Sequence, residues 1–389
     1  MCINKQMKKK TVIFELADVQ FASRARKEAF SLAKAGYNVT FVGISKKNKE
    51  LSEYTENNIR IIAYPQKSKR KIINVLFFNA FLFKFFLQEK FDIYHLHNLE
   101  STFVAIFFKL LYRKKLIFDA HELNYHKRHN PERLRNKLVT LIDVFKERLL
   151  ILIANVILQA NEKRAELFAK HYNCKMPKII ENNEPIIEID RSKSIRNIID
   201  IPNNQIVLIF IGNITYGLNQ SVDKVIEALP QINKNLNFYI IGNVIGNTKQ
   251  VLLDIAKNNN VQNRVHFTGP VPFKDIVHFI SGADISVIPI YATSLNSKFS
   301  ALNKVSQSLM AGLPLVVSNY ENLEQLINNG NTYIGETFDI TTPKTIANAI
   351  NNLLKKDLSI IKNNARKIAV DKVNWDNEAI KLIKIYSKL

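Results

Sequence analysis

A chain of 389 residues, 47% of them hydrophobic, is long enough to bury two cores, which excludes a disordered protein and makes two domains the starting expectation. Its 55 Lys and Arg against 34 Asp and Glu leave a net charge of +21, which suits a phosphorylated substrate, an anionic lipid surface or a nucleic acid, although a generally lysine-rich composition gives the same figure. The two cysteines, Cys2 and Cys174, exclude a disulfide framework and a cysteine-rich zinc site and point to a reducing compartment.

The opening MCINKQMKKKTVIFEL runs from basic residues into a short strand, without the long apolar segment of a signal peptide. TVIFEL (11–16) predicts a strand. Ala22, Ala25, Ala29 and Leu32 mark one face of a helix ending at Gly36, and NVTFVG (38–43) is the next strand. An apolar helix, Ile72 to Leu87, follows the basic residues Lys67, Lys69, Arg70 and Lys71. It would span about 24 Å, short of the roughly 30 Å hydrocarbon core, and Asn74, Asn79 and Lys84 interrupt it on different sides. It is expected to pack on a sheet rather than cross a membrane, with a helix lying in a membrane surface left open. FDIYHLH (91–97), a helix through Tyr112, KLIFDAHE (115–122), a longer helical region, NVILQA (155–160), a further helix and KII (178–180) continue the alternation. Strands separated by helices imply a parallel sheet covered on both faces.

Between 186 and 204 the pattern dissolves into IIEIDRSKSIRNIIDIPNNQ, which reads as a linker. The alternation then restarts with IVLIFIG, a helix over 219–231, LNFYIIG, a helix over 249–258, VHFTG, a helix over 273–281, ISVIPI, a helix from near Ser300, and LPLVVS. The expected architecture is α/β, with two doubly wound Rossmann-like halves facing a central cleft. In such sheets ligands sit beyond the carboxyl ends of the strands.

The residues that carry chemistry lie at such ends. Gly212 closes IVLIFIG and lets a ligand approach the backbone, and the helix expected from Asn219 or Gln220 offers N–H groups to an anion, although a glycine there also fits a plain turn. In FSALNKVSQSLMAGLPLVVS (299–318), Leu302, Val305 and Leu309 share one helical face and Asn303, Lys304 and Gln307 another, before Gly312 and Pro314 end the helix. Its N-terminus is a second place for a diphosphate, with Lys298 or Lys304 adding charge, and a solvated polar face would look the same. In the first half, Asp119, His121 and Glu122 stand at one strand end and His95, His97, Asn98 and Glu100 at another. Neither HExxH nor an ordered cysteine and histidine set is present, so one of these histidines is expected to hydrogen-bond or transfer protons rather than bind zinc. His95 and His97 alternate with Tyr94 and Leu96 and also fit a satisfied core. No nucleic-acid-binding module is recognisable.

Taken in order, these segments resemble a family 4 glycosyltransferase of the GT-B fold over nearly the whole chain. SRARKEAFSLAKAGYNVTFVG resembles the family's first helix and second strand, and DIYHLHNLESTFVAIFFKLLYRKKLIFDAHEL is similar to a subgroup carrying HAHD followed by DSHEL. NVILQANEKRAELFAKHYN and IIENNEP resemble the segment before the linker. FIGNITYGLNQSVDKVIEAL, RVHFTGPVPFKDI, GADISVIPI and NKVSQSLMAGLPLVVS resemble the donor-binding half, and VNWDNEAIKLIKIYSKL resembles a closing helix that crosses back to the first domain.

The resemblance implies an acceptor-side domain at 1–188, completed by 372–389, and a nucleotide-sugar-binding domain at 189–371. It implies a retaining transferase with a nucleotide-sugar as substrate and no bound metal or other cofactor, so that helix N-termini and basic side chains stabilise the departing diphosphate. By that match His121 is the catalytic-site histidine contacting the donor sugar. Gly212, Asn213, Lys298, Asn303, Lys304 and Gln307 are donor-binding, and Arg24, Asn98 and Glu122 lie on the acceptor side. Three positions depart from the family pattern: Gln307 replaces the glutamate that binds the ribose, Phe299 replaces the other frequent acid, and Leu218 replaces a diphosphate-binding arginine. The amide can still donate and accept hydrogen bonds, whereas Leu218 cannot replace a charged phosphate contact. The expected acceptor is a surface polysaccharide or a glycolipid, saccharide or lipid-linked. The expected location is the cytoplasm, peripheral on the inner face of the plasma membrane, with an anionic membrane surface as partner and no nucleic acid. The alternative left open is a catalytically weak relative that acts as a binding or stabilising partner, and a sugar-nucleotide epimerase also uses this fold.

Overall fold

The computed structural model describes residues 9–126, 134–218, 220–300, 302–328 and 332–389. Cys2 and Asn219, the latter an expected helix start, lie outside them. The chain divides into two units: residues up to Asn182 together with Glu378–Leu389, and Asn183–Asn377.

The first unit runs β1 (Lys10–Asp18), α1 (Ser23–Lys34), β2 (Asn38–Ser45), β3 (Ser52–Glu56), β4 (Ile59–Pro65), α2 (Lys71–Gln88), β5 (Ile93–His97), α3 (Thr102–Tyr112), β6 (Lys115–Asp119), α4 (Leu134–Ile153), β7 (Val156–Gln159), α5 (Glu162–Tyr172) and β8 (Lys178–Ile179). Its sheet has the order β3-β4-β2-β1-β5-β6-β7-β8, parallel throughout except for the β3–β4 hairpin. The central strands are apolar on both faces because helices cover both. β1 lies between β2 and β5, so the strand order reverses there. Phe14, Phe86, Phe91, Tyr94 and Phe108 meet in edge-to-face contacts at the heart of this core.

The second unit runs α6 (Ile195–Ile198), β9 (Ile206–Ile211), α7 (Val222–Ala228), β10 (Leu236–Ile241), α8 (Thr248–Asn258), β11 (Val265–Gly269), α9 (Ile276–Ile280), β12 (Ile285–Ile288), α10 (Leu295–Lys298), α11 (Leu302–Met310), β13 (Leu315–Ser318), α12 (Glu321–Ile327), β14 (Gly335–Phe338), α13 (Pro343–Leu354), α14 (Leu358–Asp371) and the first turn of α15 (Trp375–Tyr386). Its six strands are all parallel in the order β11-β10-β9-β12-β13-β14, a doubly wound sheet whose order reverses between β9 and β12. From Glu378 onward α15 belongs to the first unit, where Tyr386 is buried against Tyr37 and its hydroxyl lies 2.7 Å from His95 Nδ1.

Two sequence expectations change. The stretch 186–204 is not a free linker: Ile195 and Ile201 are buried in the second core, and the Arg196 guanidinium donates to Asp284 at 2.6 Å and to the Gly282 carbonyl at 2.7 Å. The break falls at 182/183 because Glu184 is tied into the second unit, its N–H to Ser306 Oγ and its carbonyl to the Trp375 N–H. The helix after β9 also starts later and is shorter than expected, at Val222.

The apolar helix α2 is long and apolar enough to cross a membrane by length and composition, with a mean hydropathy of 1.4. It buries Asn74, Phe78, Leu82, Phe85 and Phe86 within its own unit. Its opposite side leaves Ile72, Leu76, Phe77, Phe83 and Leu87 uncovered.

Candidate active-site residues

The switch point of the first sheet holds a cluster of buried ionisable groups. β1 contributes Glu15, α1 contributes Arg24 and Glu28, β5 contributes His95 and His97, and β6 ends at Asp119. Arg24 and Glu28 reach it because they lie one helical turn apart on the same buried face as Ala25, Ala29 and Leu32. The donor atoms of Glu28, His95, His97 and Asp119 come within 4.8 Å of one another, close enough to meet a cation. Two of the four, Glu28 and Asp119, meet the Arg24 guanidinium. Its Nε donates to Asp119 Oδ2 at 2.7 Å and lies 3.2 Å from Glu28 Oε1, while Nη2 donates to Asp119 Oδ1 at 3.2 Å and Nη1 to the Ile180 carbonyl. Arg24 therefore organises the interior of this unit and does not face an acceptor, which corrects the sequence expectation.

Burial pushes the Asp119 carboxyl up, but Arg24 foremost, with the neighbouring histidines, holds it well below the usual carboxylate range. Burial pulls the His97 imidazolium down, and the carboxylates of Glu28, Asp119 and Glu15 outweigh it, so His97 is pushed up to about 9. His121, just past β6, is partly open to solvent. Burial lowers it to about 3, against the attraction of Asp119 and with help from His97 and Arg24, so it is neutral at physiological pH. Its Nε2 lies 2.7 Å from His97 Nδ1, and its carbonyl accepts from Arg164. Glu122 is half-buried near Arg164. Asn98 adopts a left-handed backbone (φ 61°) and lines a cavity of about 750 Å³ with Lys71, Ile72, Leu99, Arg135, Val139, Ile142 and Lys146.

The switch point of the second sheet has different chemistry. Gly212 directly follows β9 with a φ of 135°, a backbone that residues with a side chain rarely adopt, and a Cβ there would come within 2.8 Å of Lys304 Cε and 3.0 Å of its Nζ, so the end of the lysine would have to move. The Lys304 ammonium thus lies over the carboxyl end of β9, 4.6 Å from the centre of the Phe210 ring. Among the described residues no carboxylate or carbonyl pairs with it, and burial lowers it to about 7. Asn213 accepts from Asn243 Nδ2 at 3.0 Å and so ties the loop after β9 to the one after β10. Lys298, on α10, lies over the rings of Phe299 and Tyr320. Asn303 is exposed in the first turn of α11, and Leu218 is exposed beside Tyr216 and Lys224 in a cavity of about 400 Å³.

Gln307 does not share the solvent-facing side of Asn303. It is 6% exposed, and its Nε2 donates to Glu184 Oε1 at 3.1 Å. The amide suits this acid: a second carboxylate here would face the first across a hydrogen-bond distance. Gln307→Ala is therefore expected to destabilise the second unit by about 1–3 kcal/mol, the cost of removing the buried partner of a carboxylate, and Gln307→Glu by at least as much at neutral pH. Denaturant unfolding followed by Trp375 fluorescence measures this. Unchanged midpoints for both variants would show that Glu184 does not depend on the amide. Glu184 could not be singled out beforehand, since nothing in IIENNEP marks one acid as buried.

The arrangement of two doubly wound units with α15 returning to the first is that of GT-B proteins, and the sequence comparisons agree. The family model for Glycosyltransferase Family 4 matches residues 24–172, and that for Glycosyl transferases group 1 matches residues 191–371. The chain belongs to the family 4 glycosyltransferases. It is 24% identical to an uncharacterized glycosyltransferase of Methanocaldococcus jannaschii over 87% of its own length and 86% of the relative's. A second uncharacterized glycosyltransferase from that organism is 26% identical over 49% of this chain, and there the chain spans only about half (47%) of the relative. Among solved structures, sucrose-phosphate synthase from Thermosynechococcus elongatus superimposes with a TM-score of 0.78 at 15% identity, covering 98% of this chain and 99% of that one. Anabaena HepE in complex with UDP-glucose gives 0.71 at 14% identity, covering 98% and 100%. The glycosyltransferase thus carries the family fold.

Proposed function

We propose that this glycosyltransferase moves a sugar from a nucleotide-sugar, with retention, to a lipid-linked saccharide or glycolipid at the inner face of the plasma membrane. The observation that carries the donor half is the Lys304 ammonium over Gly212, without a carboxylate partner among the described residues, at the switch point of the second sheet, where a diphosphate would replace the water it has lost. The UDP-glucose complex of the structurally similar HepE supports the same class of donor. His121, matching the family's sugar-contacting histidine, would hydrogen-bond the transferred sugar.

The acceptor half rests on the first unit. The cavity at Asn98 mixes apolar walls with the cationic groups of Lys71, Arg135 and Lys146 and the carboxylates of Glu100 and Asp143, Lys71 being paired with Glu100 at 2.7 Å. The adjacent helices α2, α3 and α4 turn Leu76, Phe77, Phe103, Leu110, Leu138 and Leu141 outward among many lysines and arginines, a combination suited to anionic lipid. Co-sedimentation should require vesicles containing anionic lipid and weaken with salt, since exposed charge is screened. Phe77→Asp with Leu141→Asp should weaken it about fivefold or more, the effect of losing roughly 1 kcal/mol of apolar contact. Equal binding to neutral vesicles in high salt would remove the electrostatic part of this picture.

A mass-spectrometric screen of nucleotide-sugars with lipid-linked acceptors on such vesicles tests the whole reading, with consumption of one donor expected. A second reading, a binding partner without turnover, is favoured by Leu218 and by Gln307 being committed to Glu184. Absence of turnover together with absence of any nucleoside diphosphate binding would establish it.

A further inference from the structure

We infer that Glu28 and His97 are positioning residues that set the tautomer of His121, so that its Nδ1 carries the hydrogen it presents to the sugar. The inference rests on the preceding reading only for what His121 touches; the chain of contacts is independent of it. His97 Nε2 lies 3.0 Å from Glu28 Oε2, and His97 Nδ1 lies 2.7 Å from His121 Nε2. The next nearest partner of His121 Nε2, Asp119 Oδ2, is 3.6 Å away and too distant to compete. Among the described residues nothing hydrogen-bonds His121 Nδ1, and the ring is partly open to solvent.

Proton bookkeeping along this line leaves two states. When the Glu28–His97 pair holds its extra proton, both ring nitrogens of His97 carry hydrogen, or Glu28 donates to Nε2 and Nδ1 keeps its own. In either case His97 Nδ1 donates, His121 Nε2 accepts, and the hydrogen of neutral His121 sits on Nδ1. When the pair loses that proton, His97 uses its single hydrogen on Glu28, its Nδ1 becomes an acceptor, and His121 must donate from Nε2. Its Nδ1 is then bare and can only accept a hydrogen bond, so it no longer donates one to a sugar oxygen. One proton on a buried pair thus decides whether the outward nitrogen is a donor or an acceptor.

The charged and titratable groups packed around His97 are Glu15 on β1, Arg24 and Glu28 on α1, His95 on β5, Glu100 after it, Asp119 and His121 at the end of β6, and Tyr386 on α15. Glu28, Asp119 and Glu15 raise His97, so the pair stays protonated through neutral pH and releases its proton near 9. Removing the Glu28 charge removes the largest single attraction and moves that release down.

The test is nitrogen NMR of the full chain labelled at histidine, with His121→Gln to assign the signal. Wild type at pH 7 should show neutral His121 protonated at Nδ1, switching to Nε2 as pH rises through about 9. Glu28→Gln should make the switch at least about one pH unit lower. With a donor identified, turnover should follow the same limbs while KM for the donor changes little, which a merely structural role for Glu28 would not produce. The wild-type spectrum needs no variant to fold. His121 protonated at Nε2 at pH 7, or a tautomer indifferent to both pH and Glu28→Gln, would overturn the assignment. Absence of turnover alone would instead count against the proposed function.

Discussion

Arg24→Met should lower the stability of the first unit by about 3–5 kcal/mol, the range for removing one partner of a buried ion pair. Methionine keeps most of the volume and all of the burial, so the loss isolates charge and hydrogen bonding from packing. What remains is Asp119 without the two guanidinium bonds at 2.7 and 3.2 Å, Glu28 without its partner at 3.2 Å, and the Ile180 carbonyl without a donor. The pH dependence carries a definite sign. Arg24 holds the Asp119 carboxyl far below its unfolded value, so this stabilisation is present above about pH 4 and is lost as pH falls. In Arg24→Met the orphaned carboxyl takes up a proton more readily. The difference from wild type should therefore be largest at pH 7–8 and shrink towards pH 4. Arg24→Lys should fall between, since one ammonium cannot supply the fork that meets Asp119 and Ile180 together. Circular dichroism during denaturation reports the loss, and Trp375, the sole tryptophan, reports the second unit separately. A midpoint unchanged from wild type at pH 7 would mean that the ion pair is not needed to hold the cluster.

The alternation of strands and helices made the two doubly wound units legible, because buried parallel strands such as IVLIFI and LVVS are apolar throughout and helices such as α11 keep one periodic face. The β3–β4 hairpin was not legible: it lies at the edge of the first sheet, and SEYTE carries too little apolar pattern. Among the site residues, His121 and Lys304 stand where strand ends were expected to place chemistry. Arg24 and Gln307 do not face solvent, because their partners, Asp119 and Glu184, are distant in sequence. An arginine four residues before a glutamate on an otherwise alanine-lined face was the available hint that Arg24 and Glu28 are buried together. Nothing comparable marked the pairing of Gln307 with Glu184. Helical spacing groups residues on a face but does not say what that face meets.

Lys304→Met should weaken binding of UDP about 10- to 150-fold at pH 6.5, the equivalent of a charge-assisted contact of roughly 1.5–3 kcal/mol. The ammonium has no carboxylate partner among the described residues, lies over the strand end at Gly212, and is lowered to about 7 by burial, which disfavours its charge. A bound diphosphate restores the charge, so binding takes up a proton whenever the free lysine is neutral. Wild-type affinity should accordingly fall by up to about tenfold per pH unit above 7, and Lys304→Met should flatten that slope. Leu218→Arg, restoring the charge the subgroup carries, should tighten UDP binding, whereas His121→Ala, in the other unit, should leave it nearly unchanged. Folding moves in the opposite direction to binding. A lysine whose ammonium is disfavoured in the folded chain costs stability below its unfolded value near 10, so Lys304→Met should be at least as stable as wild type at pH 7. Calorimetric titration across pH 6–9 with parallel melting curves separates the two roles. A variant that melts early and binds UDP with the wild-type pH slope would make Lys304 a structural residue. One that binds poorly and melts late is a charge kept, at a cost to folding, for the diphosphate.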